Sequence, residues 1–391
     1  MKSDWKIVTI NDCADVVGDG LHGTPQYSQN GEYAFVNGNN LINGKVVIKS
    51  DTKRVIFSEF EKYKKELNDR TILVSINGTL GNVSAYNNEK IILGKSVCFI
   101  NVKNGYDKNF LFYVLSSPTF RNYMETNSTG TTIKNFSLKQ MREYSFSLPD
   151  ICLQKKIAAI LSALDEKIAT NRAINDNLLQ QAQAVFAKEF LSFDTTPEGW
   201  KESSLLGIAD YLNGLAMQKF RPKDGENGLP VLKIKELRQG SCDASSELCS
   251  PSIKKEYIVH DGDVIFSWSG SLLVDFWCGG TCGLNQHLFK VTSTSFDKWF
   301  YFAWTDHHLQ KFAAIAADMA TTMGHIKREE LAKAEVLVPP QAEYERIGGL
   351  LAPIYDLVVA NRIENRKLAT LRDELLPRLM SGDLDVSEVS L

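Results

Sequence analysis

The sequence predicts an α+β chain built twice over: two mixed α/β modules joined by two long helices, the helices packed as an antiparallel coiled coil, with a pseudo-twofold internal repeat. Three observations predict it. A stretch of about 45 residues recurs at a constant offset of 190. Each copy carries a heptad pattern sustained for about four heptads. In front of each copy lies a stretch of short strand-like runs punctuated by glycine and asparagine, with one or two amphipathic helical runs.

The repeat sets the frame. "LPDICLQKKIAAILSALDEKIATNR" from Leu148 aligns without a gap on "VPPQAEYERIGGLLAPIYDLVVANR" from Val338. Upstream, "TGTTIKNFSLKQM" meets "MATTMGHIKREEL", so Thr131 and Thr132 fall on Thr321 and Thr322, Phe99 on Phe289, and Phe110 on Phe300. Further upstream the offset drifts by a few residues, as surface-loop insertions produce. "ILVSINGTL" still resembles "VIFSWSGSL", and "DWK" resembles "GWK". Two unlike modules on two alike helices suggest modules that differ because they recognise different things.

Stepping by four and three, the first helix reads Ile157, Leu161, Leu164, Ile168, Asn171, Asn175, Leu178, Ala182, Val185. The second reads Ile347, Leu351, Ile354, Val358, Asn361, Asn365, Leu368, Arg372, Leu375. Both seams hold two asparagines at mid-length. A buried amide facing Leu or Ile loses its hydrogen bonds, so paired amides weaken a coiled coil while fixing its register. Asn171, Asn175, Asn361 and Asn365 are therefore expected to pair across the seam. Antiparallel packing separates the two modules, whereas parallel packing crowds them. "LPD" and "VPP" mark the helix starts. Gly348, Gly349 and Pro353 predict a kink or broken turn in the second helix, since an interior proline costs about 3 kcal/mol; Pro377 is expected to end or bend it.

Strand candidates in the modules are "YAFVN", "KVVIK", "TILVSI", "VSAYN" and "SVCFINV", then "LPVLKI", "DVIFSW" and "HLFKVT". "NFLFYVLSSPTFRNYME" and "KWFYFAWTDHHLQKFAAIA" read as helices whose aromatics belong to cores. Catalytic machinery is not apparent. "LGKS" at 93–96 lacks the glycine of a phosphate loop, where Glu89 stands. No glycine-rich nucleotide motif follows a strand, and the carboxylates show no nuclease-like cluster. His307 and His308 are expected at the surface. Seven cysteines without framework spacing suit reduced thiols. Cys278, Cys282 and His287 lack an obvious fourth ligand for zinc, so no metal is expected. No apolar run approaches the roughly 18 residues of a membrane span, and the N-terminus shows no apolar signal core, so a cytoplasmic protein with no membrane is expected.

Net charge is −3, and residues 192–337 hold 15 Lys and Arg against 19 Asp and Glu, so any electrostatic footprint for a polyanion is local. Loops rich in small polar and basic residues supply the candidate contacts. In the first module these are Ser75, Asn77 and Thr79, with glycines 78 and 81 permitting close approach, and Thr131, Thr132, Lys134 and Asn135. In the second they are Lys219, Arg221 and Lys223 of "MQKFRPKDG", Lys233, Lys235 and Arg238 of "KIKELRQ", and Thr321, Thr322, His325 and Lys327. Such groups bond phosphates for positioning and base edges for specificity.

"LPDICLQKKIAAILSALDEKIATNRAINDNL" resembles the central conserved helix of specificity subunits of type I restriction-modification systems. "VPPQAEYERIGGLLAPIYDLVVANRIENRKLATLRDELLPRLMSGDL" resembles their distal conserved helix. "DWKIVTINDCADVVGDG" and "GWKESSLLGIADYLNGL" look like the openings of two target-recognition domains. The resemblance implies target-recognition domain 1 over 1–147, the central helix over 148–191, target-recognition domain 2 over 192–337, and the distal helix with its tail over 338–391. It implies a non-catalytic reader of a bipartite, asymmetric double-stranded DNA target. Two modification (methyltransferase) subunits and restriction (translocase/endonuclease) subunits would be its partners. S-adenosylmethionine, ATP and Mg would belong to those partners, with no cofactor in this chain. The alternative is a self-sufficient DNA-modifying enzyme with an unrecognised active site.

Overall fold

A computed structural model of the chain describes residues 5–130, 133–318 and 326–389. The chain forms two compact units, residues 1–166 with 369–391 and residues 167–368. Each unit thus takes a sheet-bearing module together with a portion of both long helices.

In the first unit, a six-stranded sheet has the order Ala14–Asp19, Val97–Val102, Thr71–Ser75, Val83–Ala85, Gly44–Val46, Leu41–Ile42. A three-stranded sheet places Tyr33–Val36 parallel to Ile91–Leu93 and antiparallel to Arg54–Val55. The strand Lys6–Thr9 pairs antiparallel with Ser145–Leu148 immediately before the first long helix. The run "NFLFYVLSSPTFRNYME" is not one helix but two, Lys108–Ser116 and Pro118–Asn127. Ser117 caps the second helix by accepting the Phe120 N–H, and Pro118 takes the first helical position, where its missing N–H costs nothing. Ile157, Ala158, Leu161, Leu376 and Leu379 of the long helices are buried in this unit's core with Phe110, Phe120 and Phe136.

The second unit repeats the plan. Asp210–Asn213, Leu288–Thr292, Val264–Ser267 and Leu273–Phe276 form an antiparallel sheet in that order. Leu229–Leu232 runs parallel to Cys282–Leu284, as Tyr33–Val36 does to Ile91–Leu93. Lys201–Ser204 pairs with Glu335–Val338. The aromatic helix Lys298–Asp318 buries Trp299, Phe300, Phe302 and Trp304 against Phe186, Phe190, Ile347, Leu351 and Tyr355 of the long helices. The repeat-related pairs Phe99/Phe289 and Phe110/Phe300 are all buried.

The two long helices are Ile151–Phe190 and Gln341–Met380, 40 residues each. Asp150 opens the first by accepting the N–H groups of Cys152 (2.8 Å) and Leu153 (3.1 Å). The expected break before Pro353 is absent: the second helix runs through it and through Pro377. Pro353, Pro377 and Gly349 all lie on exposed positions, where water takes the carbonyl that a proline leaves unpaired. Buried Ile347, Leu351 and Tyr355 hold both sides of Pro353 to the core. Gly348 has a packing reason, since a Cβ there would come within 3.0 Å of the Trp299 ring. The helix stops instead at Gly382, whose φ of 72° suits the left-handed end of a helix.

Within the second unit the asparagines pair as expected and the helices run antiparallel. Asn171 Nδ2 donates to Asn365 Oδ1 (2.9 Å) and to Glu364 Oε2 (2.6 Å). Asn361 Nδ2 donates to Asn175 Oδ1 (2.8 Å), and Asn175 Nδ2 to the Val358 carbonyl (3.2 Å). Asn171 Oδ1 is buried with no donor among the described residues, so the amide layer is bonded but not saturated. Next to Asn361 and Asn365 in the chain, Arg362 pairs with Asp275 (2.5 Å), and Arg366 holds both oxygens of Asp261 and the Cys278 carbonyl. These pairs tie the second helix to the edge of the module's sheet. In the first unit Arg372, at a seam position, pairs with Asp165 (2.6 Å), which also accepts the Tyr113 hydroxyl (2.8 Å).

His307 is exposed, but His308 is buried rather than at the surface. Its Nε2–H donates to the Glu335 carbonyl (2.8 Å), and its ring stacks on Trp304. Burial holds the imidazole below its ordinary pKa.

Replacing Asn175 alone by Leu leaves the Asn361 amide facing an apolar side chain. It should cost about 1–3 kcal/mol, and N175L/N361L together should recover most of that in a denaturant double-mutant cycle. For His308, the unfolded chain takes up the proton first on acidification. Its stabilising contribution is therefore complete above about pH 6.5, is lost as pH falls through that value, and levels off below the folded pKa. The variant H308Q, which keeps a donor for Glu335, should flatten the decline in denaturation midpoint between about pH 7 and 5.5.

Candidate nucleic-acid interface

In the first unit the loop after strand Thr71–Ser75 is joined to residues 134–136 by backbone bonds. Gly78 N donates to the Lys134 carbonyl (3.0 Å) and Phe136 N to the Ile76 carbonyl (2.9 Å), while Thr129 and Asn135 exchange both of theirs (2.9 and 2.8 Å). Positive φ at Gly78, Gly81 and Gly130 lets the chain turn at three points in this junction. Thr79, Lys134 and Asn135 are exposed and Asn77 is half-buried, so these candidates come together on one surface. Ser75 does not join them. It is fully buried, and its hydroxyl accepts the Asn82 N–H (2.8 Å), because the strand that it ends is covered on both faces. Thr131 and Thr132 lie outside the described residues. Arg121, exposed beside Gly81, is a cation in reach of this surface that sequence reasoning missed.

The second unit builds the same junction. Ile326 N donates to the Trp268 carbonyl (3.0 Å), the counterpart of Phe136 and Ile76 in the repeat. Thr321, Thr322 and His325 lie outside the described residues. Lys327 is exposed and lines a shallow cleft with Asn213, Trp268, Phe289 and Arg328. Trp268 Nε1 donates to Asn213 Oδ1 (3.2 Å), and its ring stacks on Phe289.

A second repeated junction was missed in the sequence. Leu21 N donates to the Leu93 carbonyl (2.7 Å) and Lys95 N to the Leu21 carbonyl (3.0 Å). Leu215 N donates to Leu284 (2.9 Å) and Gln286 N to Leu215 (2.9 Å). Gly20 and Gly214 precede these leucines, and a Cβ on either would lie 2.2–2.3 Å from a backbone oxygen. The signal was present as "DGL" at 19–21 against "NGL" at 213–215. The junction gathers His22, Thr24, Asn37 and Lys95 around one cleft in the first unit.

The basic residues of the second unit divide into two kinds. "KIKELRQ" is not a loop but the helix Ile234–Gln239: Glu236 at its third position accepts the Lys233 N–H (3.2 Å), and Gly240 closes it in the left-handed conformation. Lys233 pairs with Glu247 (2.5 Å), as does Arg221 (3.2 Å), and Lys235 pairs with Asp243 (3.3 Å). Lys233 and Arg221 hold the Glu247 carboxyl below its ordinary range. Lys219, Lys223 and Arg238 are exposed with no ion-pair partner among the described residues, so unlike Lys233, Arg221 and Lys235 they keep their charge available to an anion.

Among the described residues no group of three or more His, Cys, Asp or Glu is placed to hold a metal ion. No helix of the described residues is long and apolar enough to cross a membrane.

A family model described as the type I restriction modification DNA specificity domain matches residues 2–180 and again 197–372. The chain belongs to that family. The type I specificity chains similar to it include the MjaIX specificity subunit of Methanocaldococcus jannaschii, 24% identical, with 99% of this chain and 95% of the relative aligned. The EcoKI specificity subunit of Escherichia coli K12 is 25% identical over 70% of this chain and 65% of its own length. Among solved structures, the S subunit of the type I system of M. genitalium shares the fold with a TM-score of 0.59 at 16% identity, covering 98% of this chain and 97% of that one. The two matched segments each contain one sheet-bearing module and most of one long helix, so the specificity domain is the repeat found in the sequence.

Glu247 engages two cations of the second module, Arg221 and Lys233. In E247Q, Arg221 and Lys233 lose their anionic partner. If they face DNA, the salt dependence of duplex binding by the assembled complex should steepen by about 1–2 in log K against log salt; fluorescence anisotropy across a salt series measures this.

Proposed function

We propose that this chain is the DNA-reading, non-catalytic subunit of a type I restriction-modification complex. Each unit reads one half of a bipartite, asymmetric double-stranded target. Modules 1–147 and 192–337 carry the reading surfaces, and the helices within 148–191 and 338–391 form the spacer that sets the distance between half-sites. One observation carries the reading: the specificity domain occurs twice, and the same loop-to-loop backbone junction in each copy presents unlike side chains, Asn77, Lys134 and Asn135 in one and Trp268, Asn213 and Lys327 in the other. A recurring backbone frame with different side chains around it suits two different half-sites.

The chemistry then lies with partners. Two modification subunits dock on this scaffold and methylate adenine with S-adenosylmethionine; restriction subunits, using ATP and Mg, join to translocate and cut unmodified DNA. The complex works in the cytoplasm, where its DNA is.

Co-production of the chain with its modification subunits, followed by mapping of methylated adenines, tests this. The expected result is one split sequence of two unlike parts at fixed spacing, with neither methylation nor cleavage by the chain alone. Methylation at a single continuous site, or S-adenosylmethionine turnover by the isolated chain, would sink the proposal.

A further inference from the structure

We infer that Asn77 and Asn135 of the first unit together read one adenine from the major groove. The inference rests on the DNA-reading function above and adds the base that this junction recognises.

The backbone fixes both side chains. Asn77 and Asn135 face each other across an antiparallel bridge. The bonds from Gly78 to Lys134 and from Phe136 to Ile76 flank them, so they form a non-hydrogen-bonded pair, the arrangement that brings opposite side chains closest. On its other side, Asn135 has both backbone groups bonded to Thr129. Its backbone offers a ligand nothing; its side chain is what faces outward.

Asn77 Nδ2 donates to Asn135 Oδ1 (3.1 Å). A carboxamide has one acceptor oxygen and two N–H donors. The shared bond therefore leaves Asn77 Oδ1 as a wholly unengaged acceptor and Asn135 Nδ2 as a wholly unengaged donor on an accessible surface, while the two bonded atoms keep only one N–H and one lone pair between the side chains. Exchanging oxygen and nitrogen in both amides gives the same result, one acceptor beside one donor. The shared bond also orders both side chains before any ligand arrives, which lowers the cost of binding.

Adenine alone presents the complement in the major groove, with N7 as an acceptor and N6 as an adjacent donor. Guanine offers two acceptors, cytosine one donor, and thymine an acceptor beside a methyl group. The free donor meets N7 and the free acceptor meets N6–H, while guanine would set its O6 against the amide oxygen. Exposed Lys134 stands beside the pair as a cation for the phosphate backbone. The second unit cannot read this way: the repeat sets Ser269 opposite Asn77, and Ser269 is buried with its carbonyl accepting the Ser267 hydroxyl (3.3 Å).

The test uses the full chain assembled with its modification subunits, on duplexes carrying the mapped target. Each adenine of the target is replaced singly by 7-deazaadenine, which lacks the N7 acceptor. One such adenine should weaken binding by roughly ten- to a hundredfold. In N77A/N135A, unmodified duplex should bind as weakly, the 7-deaza substitution should cost nothing further, and other bases should be tolerated at that position. Intact discrimination at the other half-site shows that the variant is folded. The inference is overturned if no adenine in either half-site is sensitive to loss of N7, or if the sensitivity survives undiminished in N77A/N135A. A wild-type complex without any sequence preference would instead overturn the DNA-reading function itself.

Discussion

A carboxamide buried in an apolar helix seam has no acceptable neighbour except another polar group, and the register of the long helices in the second unit depends on that constraint. Asn171 meets Asn365, and Asn175 meets Asn361; a shift of one helix along the other would set amides against Ile168, Leu178 or Val358. Leucine at these positions would bury more apolar surface, so the amides hold one alignment at some expense of stability. The rest of the unit follows from that alignment. With the register held, Arg362 and Arg366 arrive opposite Asp275 and Asp261, and Ile347, Leu351 and Tyr355 meet the aromatic helix.

The loop junctions obey a different rule. Both loop junctions in each unit are closed by main-chain bonds, Phe136 to Ile76 and Leu21 to Leu93 in one, Ile326 to Trp268 and Leu215 to Leu284 in the other. A frame held by N–H and C=O groups makes few demands on side-chain identity beyond the glycines at 20 and 214, where a Cβ would strike a carbonyl, and those at 78, 81 and 130, where φ is positive. The outward side chains are then free to differ between copies without loss of the fold. Such a division of labour suits a protein whose two halves recognise different sequences with one architecture.

Much of the architecture was legible because it rests on periodicity. The seam positions from Ile157 to Val185 are buried or half-buried as the heptad count requires, and the strand runs around 71–76, 97–102 and 264–267 are strands. The errors arose where a local rule met a distant partner. Pro353 reads as a helix breaker, yet its turn is exposed to water and flanked by a buried core. Ser75 reads as a loop hydroxyl, yet it ends a strand and bonds Asn82. Lys233, Lys235 and Arg221 read as free cations, yet Glu247 and Asp243, up to 26 residues away, neutralise them. His308 reads as a surface residue, yet the Glu335 carbonyl and Trp304 enclose it.

The sequence by itself determined the duplication, the two long helices, their amide-bearing seam and the absence of a familiar catalytic motif, because each is written in spacing along one chain; the seam pattern alone permitted either helix direction, and the structure decided for antiparallel. Only the tertiary structure decided which asparagine faces which, which cations keep their charge available, and that Asn77 and Asn135 share a hydrogen bond. Those are pairings between residues far apart in sequence, and no local pattern specifies a contact whose geometry is set by the backbone packed around it.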